Sequence, residues 1–146
     1  MKFTDDIRCE ILKYLSGNGD TPTGHVCRFF TIGEIGVKVY GEKHESAKRA
    51  YEIQERASQL GLGPAVGDYW EICLRLGAGR HISIYGYLTQ IADTSEYFEH
   101  WQCKELHADM KKHGFPDWDT FGGNVGTIDG KLVCLDFEPV SMKHME

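Results

Sequence analysis

At 146 residues, 41% of them hydrophobic, the chain is the size of one domain and has enough apolar material for a core. A net charge of -6 excludes a broad nucleic-acid surface, which needs clustered Lys and Arg, but leaves room for a nucleotide held by a few local cations. No apolar run reaches membrane-spanning length, the N-terminus MKFTDDIRCEILKYL lacks a signal-peptide pattern, and the five cysteines are scattered without a CxxC, so a reducing, cytoplasmic setting is expected.

Residues 4 to about 15 place Ile7, Ile11, Leu12 and Leu15 at helical spacing, consistent with a short helix or a leading strand. Ser16 to Gly24 is dense in turn formers. Such a loop between strands brings backbone N–H groups close to phosphates, or simply turns a hairpin. His25 to Tyr40 reads as two strands joined by Gly33-Glu34, with Lys38 on the face opposite Val37 and Val39. That lysine either faces solvent or is aimed into a cleft.

From Glu42 to Leu60 the apolar positions Ala50, Ile53, Ala57 and Leu60 predict a helix, stopped by Gly61-Leu62-Gly63-Pro64. Glu45, Glu52 and Glu55 ride on it. Three strand-like runs follow, Ala65 to about Tyr69, Trp70 to Leu76 and Ile82 to Leu88, with a turn at Gly77–Arg80. Gln90 to Asp93 forms a connector. Residues 96–113, with Phe98, Trp101, Leu106 and Met110 in phase, predict a long amphipathic helix closed by Gly114. His107, Asp109 and His113 do not share one face or meet a second ligand pair at zinc spacing, so they read as a polar surface.

The chain then reaches DTFGGNVGTIDGKLVCLDFE, residues 119–138. Asp119 is followed by Asn124, a turn lies within Thr127 to Gly130, and the apolar run Leu132-Val133-Cys134-Leu135 ends on Asp136. A carboxylate, an amide and a second carboxylate on a hairpin suit magnesium under a polyphosphate, since hard cations take oxygen ligands. A surface hairpin with solvated acids has the same pattern.

From about residue 14 to 139 the order and residues resemble the protein-kinase-like superfamily, in a minimal, atypical form. In that resemblance Gly17 to Gly24, with Gly17 and Gly19, corresponds to the phosphate-covering loop. Lys38 corresponds to the strand lysine, and Glu52, or alternatively Glu55, to its helix partner. Gln90, Ile91 and Ala92 correspond to the hinge meeting the adenine. Asp119 and Asn124 have the catalytic-loop spacing, and Asp136-Phe137-Glu138 stands where Asp-Phe-Gly would be. Asp119 and Lys38 would be catalytic, and Asn124 and Asp136 would hold Mg2+. The implied fold is α+β: an N-lobe antiparallel sheet with one helix over 1–89, a hinge at 90–93, and a minimal C-lobe of long helix and catalytic hairpin over 94–146.

Three features depart from the family, one of them Glu138 in place of the glycine, which resembles small-molecule and other atypical kinase-like enzymes. Asp117-Trp118 replaces the His-Arg before the catalytic aspartate, and only eight residues, 139–146, follow Glu138. The resemblance therefore implies a truncated lobe without an activation loop, and no control by loop phosphorylation. It implies an ATP-dependent phosphotransferase acting on a protein, itself or a small molecule, or else a nucleotide-binding or partner-binding module without turnover. Apolar surface around Trp101 and Trp118 would suit a homodimer or a protein partner.

Overall fold

The computed structural model describes residues 1–17, 27–115 and 124–137. Its centre is a four-stranded antiparallel sheet made of β1 (Arg28–Ile32), β2 (Ile35–Gly41), β3 (Val66–Arg75) and β4 (His81–Gln90), in the order β1-β2-β4-β3. The β1–β2 connection is two residues long, and Gly33, at a φ of 58°, takes the left-handed conformation that such a loop needs.

Strand alternation sends two different sets of side chains to the two faces of the sheet. Val37 and Val39 of β2 join Trp70, Ile72, Ile84 and Leu88 on one face. Helix α1 (Asp5–Gly17) covers them with Ile7, Ile11 and Leu15, which recur every four residues along one stripe. Asp5 and Asp6 lie in its first turn, where acids complement the helix dipole. On the other face Tyr40 and Tyr87 pack against Ala47 and Ala50 of helix α2 (His44–Gln59).

The sheet therefore carries two helices, and the expectation of one is corrected. Every residue from Gly36 to Gly41 of β2 is buried, and a strand buried on both faces requires a cover on each. The segment read as helix or strand is helix α1. In chain order a helix, α1, and not a strand is the described element before residues 18–24.

A second core sits beyond the end of α2. Ala57 and Leu62 meet Cys103, Leu106, Met110 and Phe115, together with Val125, Cys134 and Phe137. This cluster holds the hairpin of β5 (Val125–Ile128) and β6 (Lys131–Cys134) against α2 and helix α3 (Lys104–Lys112). The hairpin turns on Asp129 and Gly130, with φ of 51° and 79°, the left-handed pair that an Asp-Gly turn supplies.

Two other expectations are corrected in detail. The first two runs after Pro64 form one ten-residue strand, β3, with an irregularity between Val66 and Tyr69. The long helix over 96–113 is a 3-10 turn, His100–Cys103, followed by nine residues of α3. Two local contacts set the later start. The Asp93 carboxylate accepts the Ser95 N–H, and Glu99 and Gln102 close a reciprocal capping box at the turn's entry. Tyr97 and Trp101 are exposed, 66% and 69%, so the apolar phase seen in the sequence overstates the buried face. Among the described residues no helix is long and apolar enough to cross a membrane.

The packing predicts an order of thiol reactivity. Cys9 and Cys73 are exposed, whereas Cys103 and Cys134 are buried. Burial pushes both inner thiols up, Cys134 to about 12, and thiolate is the reactive form. A thiol-exchange reagent at neutral pH should label Cys9 and Cys73 in a fast phase and reach Cys103 and Cys134 only on unfolding. Fast labelling of Cys134 in the native protein would contradict the docking of the hairpin.

Candidate functional site

Lys38 comes from the middle of β2, where it pairs with Tyr87 of β4 and projects onto the α2 side. It is 8% exposed. Burying an ammonium is strongly unfavourable unless polar partners replace water. Here Nζ donates to Gln54 Oε1 at 2.9 Å and to the Leu135 carbonyl at 2.8 Å. It also lies 5.7 Å from the Tyr87 ring centroid and 5.2 Å from that of Phe137, close enough for cation–π attraction.

Gln54, not an acid, is the α2 partner. The expected Lys38–Glu52 pairing is corrected: Glu52 is exposed. At about 100° per residue, position 52 lies roughly 200° around the helix from position 54. The buried stripe runs Ala47, Ala50, Gln54, Ala57. Glu55, the alternative, lies one turn from Tyr51; burial foremost, and then the Glu55 charge, raises that tyrosine's pKa. The signal in the sequence was a glutamine standing in a stripe of alanines. Its further partners, Tyr87, Thr89 and Pro64, carried no motif.

Leu135 links the lysine to the hairpin's open end. Val125 pairs with Cys134, and the ladder continues with the Leu135 N–H on the Asn124 carbonyl at 2.9 Å. Asn124 thus stands opposite Leu135, and Asp136 follows Leu135, with Asn124 and Asp136 both half-buried and the Lys38 ammonium on the Leu135 carbonyl. The Cys134 N–H bonds the Leu62 carbonyl at 2.8 Å, and Phe137 is fully buried. A Cβ on Gly63 would lie 2.9 Å from the Phe137 ring, so that ring seats only over a glycine.

The connector also docks on the hairpin. Asp93 and Thr127 exchange N–H to carbonyl bonds, both 2.9 Å. Gly126 permits this approach, since a Cβ there would sit 2.9 Å from the Asp93 carbonyl. Gln90 is tied to Ala65 twice: its N–H donates to the Ala65 carbonyl, and its side-chain oxygen accepts the Ala65 N–H. Ile91 and Ala92 are half-buried between these anchors.

The structure therefore gathers Lys38, Asn124 and Asp136 around one junction and runs 90–93 alongside it. Gly17 lies at the end of α1, with open space about its Cα. Gly19, Asp117, Trp118, Asp119 and Glu138 lie outside the described residues. Among the described residues no group of three His, Cys, Asp or Glu side chains is arranged to hold a metal. Magnesium asks for less, one or two protein oxygens with phosphate and water completing the shell, and Asn124 and Asp136 carry side-chain oxygens of the type it takes. Comparisons with protein-family models, curated proteins and solved structures find no match.

The site's geometry separates two α2-facing changes. Lys38→Met leaves Gln54 Oε1 and the Leu135 carbonyl short of a buried donor, and should destabilise the fold by about 1–3 kcal/mol. Glu52→Gln, on the exposed face, should stay within about 0.5 kcal/mol of wild type. Denaturant unfolding of both variants checks this; the reverse ranking would place the lysine's partner elsewhere on α2.

Proposed function

We propose that this chain is an atypical kinase-like protein that binds Mg-ATP where the sheet meets the hairpin and transfers the γ-phosphoryl group to an acceptor. The observation that carries the reading is the Lys38 bond to the Leu135 carbonyl, 2.8 Å, directly beside Asp136 and across the ladder from Asn124. A fixed cation next to oxygen donors suited to a hard metal is what a polyphosphate needs. The strand lysine, the Asn and the Asp come from distant parts of the sequence, in the order in which kinase-like enzymes carry them.

In this reading Lys38 faces phosphate oxygens, and Asn124 and Asp136 hold the metal. Magnesium, when bound, neutralises charge on the β- and γ-phosphates. The segment 90–93 with Gln90, Ile91 and Ala92 borders the base. Asp119, brought in by the resemblance, accepts the proton of the acceptor hydroxyl. The acceptor oxygen then bonds to the γ-phosphorus, the bond from that phosphorus to the bridging oxygen breaks, and ADP leaves. Little covalent chemistry falls to the protein, so positioning and charge carry the rate. The acceptor is a protein, the chain itself or a small molecule.

A second reading, a nucleotide-binding or partner-binding module without turnover, is favoured by a different observation. Lys38 is nearly enclosed, with an amide oxygen and a backbone carbonyl among its partners, so it also serves as a packing element. The exposed Tyr97 and Trp101 would then belong to a surface for a partner or a second copy.

One set of measurements decides between them. Mg-ATP at about 100 times its dissociation constant should add about 2.7 kcal/mol of stability, a melting shift of several degrees, and Asp136→Asn should remove most of it. Asp119→Asn should retain the shift and lower phosphoryl transfer from labelled ATP by at least about 10²-fold. An unchanged wild-type melting curve contradicts nucleotide binding. A full shift without transfer to any acceptor favours the module.

A further inference from the structure

The Gln54 side chain is fully buried, and its amide uses all four of its hydrogen-bonding positions. Oε1 accepts from Lys38 Nζ at 2.9 Å and from the Tyr87 hydroxyl at 2.8 Å. Nε2 donates to the Pro64 carbonyl at 3.1 Å and to Thr89 Oγ1 at 2.7 Å. An ammonium can only donate and a proline carbonyl can only accept, so the amide has one orientation here.

The network continues past Gln54 on both sides. Thr89 Oγ1, having accepted from Nε2, lies 3.2 Å from the Gln90 carbonyl and 3.3 Å from that of Ala65, and its one proton serves either. Lys38 reaches the Leu135 carbonyl on the other side. A hydrogen-bonded path therefore runs from Leu135, beside Asp136, through Lys38, Gln54 and Thr89 to Gln90. Those are the two ends of the candidate site.

We propose that Gln54 is the positioning residue of this site: its uncharged amide couples the connector to the hairpin through Lys38 and holds α2 in place before any nucleotide arrives. For what Lys38 touches this rests on the nucleotide reading; the network stands without it. A carboxylate at position 54 could still accept from Lys38 and Tyr87. It has no N–H for Pro64 or Thr89, and its second oxygen would face a carbonyl. Only glutamine, with two donors and two acceptor positions on one planar group, satisfies all four neighbours.

The substitution Gln54→Glu thus carries a signed pH dependence. Charged and titratable groups on the surrounding elements include Lys38 on β2, Asp68 and Tyr69 on β3, Tyr87 on β4, Cys134 and Asp136 on the hairpin side, and Tyr51 and Glu55 on α2. Lys38 favours the carboxylate. Burial and the Pro64 carbonyl favour the acid, which alone can donate to Pro64 or Thr89. With the folded-state pKa raised, the stability gained from protonation is present at low pH and lost as pH rises.

The experiment compares full-length wild type, Gln54→Glu, Gln54→Leu and Thr89→Val near neutral pH and at about pH 5, close to an ordinary glutamate's range. Each is melted alone and titrated calorimetrically with Mg-ATP. Near neutral pH Gln54→Glu should melt below wild type, and the gap should narrow at about pH 5. Gln54→Leu should melt low at both. Thr89→Val, which breaks only the connector side and leaves the Lys38 contact, should weaken Mg-ATP about tenfold, the loss of roughly one hydrogen bond's worth of coupling. Wild-type affinity in both Gln54→Glu and Thr89→Val would overturn the positioning role while leaving the nucleotide reading intact. Should wild type give no binding heat, the nucleotide reading fails, and wild-type-like, pH-independent melting of Gln54→Glu would overturn the network as well.

Discussion

The bond from the Lys38 ammonium to the Leu135 carbonyl is the contact on which the relation between sheet and hairpin depends. Its two ends are 97 residues apart in sequence. A cation enclosed by apolar and aromatic groups has to be met by polar partners, and Gln54 of α2 and Leu135 of the hairpin side are among those the fold supplies. The same constraint explains why Gln54 is buried and why its own remaining positions are all answered. A polar group left unmatched at such a place would lose the desolvation free energy outright, about 1–3 kcal/mol each.

Close approach around this joint is allowed by missing side chains. Gly63 lets the Phe137 ring seat beside Ala57, and Gly126 lets the connector bridge to β5 at Asp93. Phe137 then closes the Lys38 ammonium from the far side. Sheet, helix α2, connector and hairpin consequently share one region of polar and aromatic contacts. It lies between the core under α1 and the core around α3. Sites assembled from several elements in this way are held more accurately than sites on one loop, because neighbouring packing limits each rotamer.

The sequence was most informative where periodicity and turn chemistry agreed. The β1–β2 hairpin, the α2 span with its Gly-Leu-Gly-Pro stop, the Gly77–Arg80 turn and the Asp-Gly hairpin all stand where spacing and turn residues placed them. It misled where a pattern was right and its partner unknown. Phe98 and Trp101 are in helical phase, yet a capping box at Glu99 starts the helix late and leaves Trp101 in solvent. Helix α1 was half-legible, because amphipathic spacing over so short a run suits a helix or a strand until the bare sheet face it covers is known. At the site, Lys38, Asn124 and Asp136 were linked in the sequence only through the resemblance, and a contact that joins their segments is the Lys38 bond to the Leu135 carbonyl, next to Asp136 and paired with Asn124. The coupling through Gln54 was not legible, because a buried glutamine is defined by four partners that sequence spacing does not bring together.

In the proposed reading a polyphosphate and its metal sit between Lys38 and the hairpin, and a paramagnetic metal reports that position. Substituting Mn2+ for Mg2+ with ATP, and recording backbone amide resonances of the full chain, reports which residues lie near the metal. Broadening is expected to be strongest at Asn124, Leu135, Asp136 and Phe137, reduced in Asp136→Asn, and weakest at the α1 amides of Ile7 to Leu15. Broadening centred elsewhere, or none at Asn124 and Asp136 while ATP is bound, would contradict it.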